Sequence, residues 1–523
     1  MDREHNLARL SEPFDILVVG GGATGLGVAV DAAARGYRTA LVEAADFAQG
    51  TSSRSTKLAH GGVRYLQQGN VRLVWEALHE RGLLLRNAPH LVQPLRFLVP
   101  AYHWWERPFY GLGLAIYDLL AGALRLSRSD VVGAREAAAI VPNVNSSGLL
   151  GGIVYADAQF DDARLAVALA RTAEAHGAVV TNYTPVRSLV KEDGRLIGAV
   201  VEDRESGSKR NVRARVIVNA TGVFCDTLRR LADPEAQPII SASQGIHLVC
   251  ERRFLPGDTA LLVPHTEDGR VVFIIPWQGA TLIGTTDTPV AGATDEPRPQ
   301  PGEIDYLLRQ AGPYLTLRPK RADVRSVFAG LRPLVKGSAA TTAGLSRDHT
   351  LLTSPSGLVT IAGGKWTTYR LMAEQAVDEA ARQAGLPPRP CPTRQLALAG
   401  AAAPAGQWRE FGASQPEIDR YEGMYPWRLH PDLPYSAAMV AYAVENEMPV
   451  RLQDVLARRL RALILDARAA LAVAPRVGEL MADLLGKDAE WLRQELADFR
   501  ALAAGYLPAP SKPDRSREPL IGA

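Results

Sequence analysis

The run Gly20-Gly21-Gly22-Ala23-Thr24-Gly25 sets glycines at the first, third and sixth positions of a G-x-G-x-x-G turn. The first glycine permits a tight turn and the second lets backbone approach a pyrophosphate. The third lets a helix pack on a strand, with the helix N-terminus facing the phosphates. Glu43 lies 23 residues beyond Gly20, where an acid can hold a ribose hydroxyl. The chemistry implied is dinucleotide binding, and the turn alone does not say which dinucleotide. A second cluster is TSSRSTKLAHGGVRYL at 51–66. Hydroxyls at Thr51, Ser52, Ser53, Ser55 and Thr56 are spaced as in a loop that bonds oxyanions. Gly61-Gly62 permits close approach to a flat ring, and Arg64 and Tyr65 follow.

A strand must launch these residues and a helix receive them. DILVV at 15–19 has the apolar run of a buried strand, the alanine-rich stretch ending at Gly36 reads as a helix, and TALVEA reads as a second strand. A βαβ unit is therefore predicted. Helical patterns cover 70–90 and 161–176, strands joined by the Glu192-Asp193-Gly194 and Glu205-Ser206-Gly207 turns cover 178–220, and 245–290 alternates as β. Strand LVTIAGG and a helix occupy 357–384. The stretch 95–126 carries Phe97, Tyr102, Trp104, Trp105, Phe109, Tyr110 and Tyr117; Trp104, Trp105, Phe109 and Tyr110, with Arg107 among them, suit an interfacial anchor or internal packing. A proline- and alanine-rich linker spans 385–407, and 415–500 is helical with charged faces such as RLQDVLARRLRALILDARAAL.

At 523 residues, two to four domains are expected. With 59 basic and 56 acidic residues, charge gives no case for nucleic acid. Cys225, Cys250 and Cys391 form no CxxC pair, which fits a reducing compartment. The charged N-terminus lacks an apolar signal region, and no apolar run is long enough to predict a membrane-crossing helix.

GGGATG, TSSRSTKLAHGGVRYL, ATG at 220–222, GIHLV, IPWQGATLIGTTD, GLRPL and GGKWTTYR together resemble the FAD-dependent glycerol-3-phosphate dehydrogenases, within the D-amino-acid-oxidase-like flavoproteins. The segments keep that family's order, and 415–500 resembles its C-terminal domain. Phe224 stands where the family usually carries Trp. The fold implied is α/β: a discontinuous Rossmann-like FAD-binding domain with an inserted α+β substrate domain and a C-terminal helical domain. The expected boundaries are 1–90, 150–240 and 325–390 for FAD, 91–149 and 241–324 for substrate, 391–506 for the helical domain and 507–523 for a flexible tail.

The resemblance implies oxidation of sn-glycerol 3-phosphate to dihydroxyacetone phosphate, with electrons passed to a membrane quinone. Arg64, Arg332 and Lys365 match positions that bind the phosphate, a dianion that needs paired cations out of water, and Tyr65 can donate to it. His247 is the candidate base, with Arg332 able to stabilise the developing alkoxide. Lys365, or the helix after it, can supply positive charge to the reduced flavin. Lys57, His60, Gly222, Gly364, Thr367 and Thr368 join the glycine turn, Glu43, Thr51, Ser52, Ser53, Gly61 and Gly62 as expected FAD contacts. Thr285, Thr286 and Asp287 read as a loop at a strand end. No metal is expected. The resemblance also implies a homodimer in the cytoplasm, in peripheral contact with the inner face of the plasma membrane. An oxygen-using oxidase of the same family, an amino-acid or amine oxidase of the same fold, and a non-catalytic flavin-binding partner protein stay open here.

Overall fold

Strand Phe14–Val19 is apolar almost throughout, as suits a strand covered by helices on both faces. It pairs in parallel with Thr39–Val42 on one side and Lys209–Asn219 on the other. Parallel pairing extends to Val179–Thr181 and Leu358–Gly363, and His349–Thr353 closes one edge antiparallel. Helices Ala23–Ala34, Asp162–Ala175 and Tyr369–Gln383 pack here: Leu26, Leu169 and Met372 join Ile16, Val18, Leu41 and Val218 in one buried cluster. The computed structural model describes residues 1–67, 69–336, 349–401 and 409–508, and of Arg64 and Gln67 the backbone only.

A second sheet carries the other half of the site. Val324–Val335 runs antiparallel along Ile240–Glu251, which pairs with Ala280–Gly284. The order continues through Val272–Trp277, Thr259–Val263, Val92–Ala101 and Gly151–Phe160 to Leu58–Ala59. The expected boundaries at 150 and 325 divide differently from these pairings. Gly151–Phe160 and Val324–Val335, assigned to FAD segments, both hydrogen-bond in the second sheet. A strand buried on both faces reads as an apolar run whichever sheet it joins, so periodicity does not name its partner.

The C-terminal region contains helices Gln415–Met424, Ala437–Asn446, Ala467–Leu485 and Ala489–Ala504, with a π-helical turn at Asp454–Arg459. Tyr442, Leu463 and Met481 share one apolar cluster with Phe97, Ile275 and Trp277 of the second sheet. The expected charged face is corrected at Arg458, Arg459 and Arg461, which are buried. Arg459 bonds both oxygens of Asp46 at 2.6 and 2.9 Å, and Arg458 Nε reaches the same carboxylate at 2.5 Å. These partners lie more than 400 residues apart, beyond the reach of local patterning. Of the linker, residues 402–408 lie outside the described residues; so does the tail from 509.

Burial alone would raise the Asp46 carboxyl, but the Arg459 and Arg458 guanidiniums overcome that and hold it at about 2. A carboxyl depressed on folding adds stability above its unfolded value, about 4, and that contribution is lost as pH falls towards 2. Asp46→Asn leaves two buried arginines facing an amide. Denaturant unfolding should show a loss of about 3–5 kcal/mol at neutral pH, and a smaller loss on acidification from about pH 5 to about pH 3 than in wild type.

Candidate active site

The chain leaves strand Phe14–Val19 through Gly20, at φ 111°, and enters helix Ala23–Ala34 three residues later. A Cβ at Gly20 would lie 2.6 Å from the Ala220 carbonyl oxygen, and one at Gly21 would lie 2.9 Å from Glu43 Cβ. A Cβ at Gly25 would overlap the Gly20 carbonyl, so the third glycine brings helix onto turn. Thr24 lies half-buried in the first helical turn. The Glu43 carboxylate accepts the Gly21 N–H at 2.5 Å and the Ala45 N–H at 2.8 Å, and burial raises its pKa. The Ala23 N–H donates to Ser52 Oγ at 2.9 Å, while Trp366 Nε1 donates to the Ser52 carbonyl at 2.9 Å. Thr51 Oγ1 donates to the Leu331 carbonyl of the second sheet at 2.5 Å.

From Ser53 the chain runs through a buried charge cluster. Lys57 is fully buried, and its Nζ donates to the Ser53 carbonyl at 2.9 Å and to Asp162 at 2.7 Å. Burial pulls this ammonium down to about 8, against the pull of Asp162. Its side chain is thus engaged by protein partners. Thr56 Oγ1 lies 2.9 Å from His247 Nε2. Thr367 Oγ1 accepts the His60 N–H at 3.2 Å. The Gly61 N–H donates to the Tyr117 hydroxyl at 2.8 Å; that hydroxyl donates to Asp157 at 2.8 Å, and Asp157 pairs with Arg81 at 2.7 Å. Gly62 turns at φ 78°, and Lys365 Nζ lies over the Tyr65 ring, 4.0 Å from its centre. The Arg64 backbone opens the short helix Arg64–Gln67. Gly222 and Gly364 both adopt left-handed backbone, and Thr368 donates to the Lys365 carbonyl at 3.3 Å just before helix Tyr369–Gln383.

His247 and Arg332 come from neighbouring strands. The His247 ring stacks on Phe328, 4.8 Å between centres. Burial, then the charges of Lys57 and Arg332, push the imidazole well below its ordinary value, so it is neutral at physiological pH. Its Nδ1 is buried without a hydrogen-bond partner among the described residues. Arg332 Nη2 donates to Thr285 Oγ1 at 3.1 Å and to the Thr286 carbonyl at 3.0 Å, and Nη1 lies 3.4 Å from Asp287. Asp287 is held in turn by Arg270 at 2.5 Å and by the Ser243 hydroxyl. The sequence pattern places Thr56 in an oxyanion-bonding loop and Asp287 in a loop at a strand end, without their contacts to His247 and Arg332, and gives no role to Tyr117, Asp157, Asp162 or Arg461. The adjacent Asp161-Asp162 pair at a helix start was the one local signal for the last group.

Residues 15–370 match the FAD dependent oxidoreductase family, and 409–491 match the C-terminal domain of alpha-glycerophosphate oxidase. The mitochondrial glycerol-3-phosphate dehydrogenase of Arabidopsis thaliana is 40% identical, covering 94% of this chain and 86% of its own length. The Homo sapiens enzyme is 40% identical over 94% of this chain and 72% of its own. The chain belongs to the FAD-dependent glycerol-3-phosphate dehydrogenase family. The crystal structure of glycerol-3-phosphate dehydrogenase from Bacillus halodurans complexed with FAD shares its fold with a TM-score of 0.79 at 29% identity, covering 99% of this chain and 98% of that one. L-alpha-glycerophosphate oxidase from Mycoplasma pneumoniae has the fold too, with a TM-score of 0.57 at 19% identity over 74% of this chain and 98% of that chain. The expected α/β flavoprotein fold with a C-terminal helical domain is the family's, and FAD is the cofactor. The glycine turn fits it: Cβ atoms at 20, 21 and 25 would collide with backbone or Glu43, and their absence lets backbone amides meet a pyrophosphate.

A Cβ at Gly284 would overlap the His247 ring, so glycine there makes room for the imidazole. Gly284→Ala should therefore retain bound FAD, read from the flavin absorbance, but lose turnover by about 100-fold, because a displaced group close to the chemistry is costly.

Proposed function

We propose that the enzyme oxidises sn-glycerol 3-phosphate to dihydroxyacetone phosphate and delivers the electrons to a membrane quinone. The observation that carries this reading is Arg332, fixed by Thr285, Thr286 and Asp287 close enough to the neutral His247 to depress it. A guanidinium aimed by three protein oxygens suits an oxyanion, and a neutral imidazole suits an alcohol proton. The high identity to glycerol-3-phosphate dehydrogenases supports the same substrate.

In this reading Gly20–Gly25, Glu43, Thr51, Ser52 and Ser53 hold the dinucleotide. Gly61 and Gly62, with His60, Gly222, Gly364, Thr367 and Thr368, surround its ring. Lys57 contributes by holding the loop through the Ser53 carbonyl and Asp162. Bound FAD supplies the two-electron acceptor. Arg64, Tyr65, Arg332 and Lys365 bind the substrate phosphate. His247 Nδ1, with Nε2 occupied by Thr56, takes the C2 hydroxyl proton. Burial first, and then the charges of Lys57 and Arg332, disfavour a protonated imidazole, which makes His247 a weak base before substrate binds. The phosphate dianion offsets the Arg332 charge, so substrate itself strengthens the base as it binds.

Helix Glu106–Ala121 supports membrane contact. Tyr117 and Phe97 are buried, whereas Trp104 is 80% exposed, Leu112 67% and Leu119 78%. Trp105, Phe109 and Ile116 join them at the surface, and Arg107 borders a cavity of about 430 Å³ beside Trp104 and Leu112. Exposed apolar and aromatic groups edged by arginine suit a lipid–water boundary. No helix among the described residues is long and apolar enough to cross a membrane.

Anaerobic glycerol 3-phosphate should bleach the bound flavin, and Arg332→Ala should slow bleaching by about 100–1000-fold, the usual loss of an oxyanion donor. A quinone analogue in phospholipid vesicles should then reoxidise the flavin faster than oxygen does. Peroxide formed in step with substrate would overturn the acceptor, and bleaching by glycine or sarcosine alone would overturn the substrate.

A further inference from the structure

The C-terminal helical region reaches into the cofactor loop through Arg461. Arg461 sits just past the π-helical turn and is 1% exposed. Its Nη2 donates to the Ser53 carbonyl at 2.7 Å and to Asp162 at 3.0 Å, and its Nη1 donates to the Ala457 carbonyl at 2.9 Å. Lys57 donates to the same Ser53 carbonyl and the same Asp162 side chain from within the loop. Asp162 also accepts the Ser55 N–H at 3.0 Å and the Ser55 hydroxyl at 2.7 Å. Both cations have left-handed backbone, each at φ 64°, a conformation disfavoured for residues other than glycine. That strain is borne at two buried positions which converge on one carbonyl and one carboxylate.

The stretch so held has a functional contact at each end. On one side Ser52 meets the N-terminus of the glycine-turn helix through Ala23, and on the other Thr56 meets His247. We propose that Arg461 is a positioning residue: by fixing Ser53 and Asp162 it sets the Ser52 contact to the FAD-binding turn and the Thr56 contact to His247. The role assigned to Thr56 rests on the reading of His247 as the base.

A buried pair that merely joins two regions would matter for stability alone. Arg164 and Glu447 form such a pair at 2.6 Å between helix Asp162–Ala175 and the C-terminal region, with no hydrogen bond or ion pair to loop 51–66 among the described residues. Glu447→Gln therefore serves as the control. The full-length FAD-loaded enzyme is compared as wild type, Arg461→Gln, Arg461→Lys, Thr56→Val and Glu447→Gln. The readouts are FAD dissociation, the visible flavin spectrum and the pH dependence of anaerobic flavin reduction by glycerol 3-phosphate.

Arg461→Gln should weaken FAD binding by about tenfold or more, alter the flavin bands and shift the pH profile; misplacement of this kind is also expected to slow reduction by up to about 100-fold. Arg461→Lys should restore part of each. Thr56→Val should reproduce the pH shift while retaining FAD affinity, and Glu447→Gln should lower stability with all three readouts unchanged. Wild-type FAD affinity, spectrum and pH profile in Arg461→Gln overturn the proposal. If that chain does not fold, the same result in Arg461→Lys overturns it. If glycerol 3-phosphate fails to bleach the wild-type flavin, the substrate reading fails, while FAD dissociation and the spectrum still test Arg461.

Discussion

A carboxylate taken out of water must be met by cations and donors at bonding distance, and Asp162 is met by Lys57, Arg461 and both polar hydrogens of Ser55. Much of the site depends on this one buried acid. The loop it anchors touches the glycine-turn helix through Ser52 and the second sheet through Thr51 and Thr56. It therefore ties the glycine turn to the His247 strand of the second sheet. Removing a single cation would leave the carboxylate undercompensated.

The second sheet shows how a strand makes room for chemistry. Gly245 and Gly284 stand where a methyl group would overlap Arg332 and His247 respectively. The cation and the imidazole thus occupy volume that the strands give up. Asp287 orients Arg332 and is itself saturated by Arg270 and Ser243. The guanidinium is thus held in place by Thr285, Thr286 and Asp287, and in the proposed reaction this lowers the reorganisation needed.

Much of this was legible in order along the chain. The glycine turn with Glu43, the flanking strands and helix, and the GGKWTTYR segment leading into Tyr369–Gln383 all carry local signatures. The sheet membership of Gly151–Phe160 was not legible, because its apolar run fits either sheet. Nor were the buried arginines, since ARRLR has the composition of a solvated face and its partners Asp46 and Asp162 are hundreds of residues away. Hydrophobic periodicity records which residues avoid water and is silent about charges that avoid it in pairs. Tyr117 was hidden in the same way: within an aromatic stretch it turns inward to hold Gly61, while Trp104, Trp105 and Phe109 lie at the surface.

The most direct test is a crystal structure of the FAD-loaded enzyme with dihydroxyacetone phosphate. The ring should lie against Gly61-Gly62, with the product phosphate bonded by Arg332 and its C2 oxygen facing His247. A phosphate bound away from Arg332, or a C2 oxygen separated from His247 by intervening protein, would contradict the account.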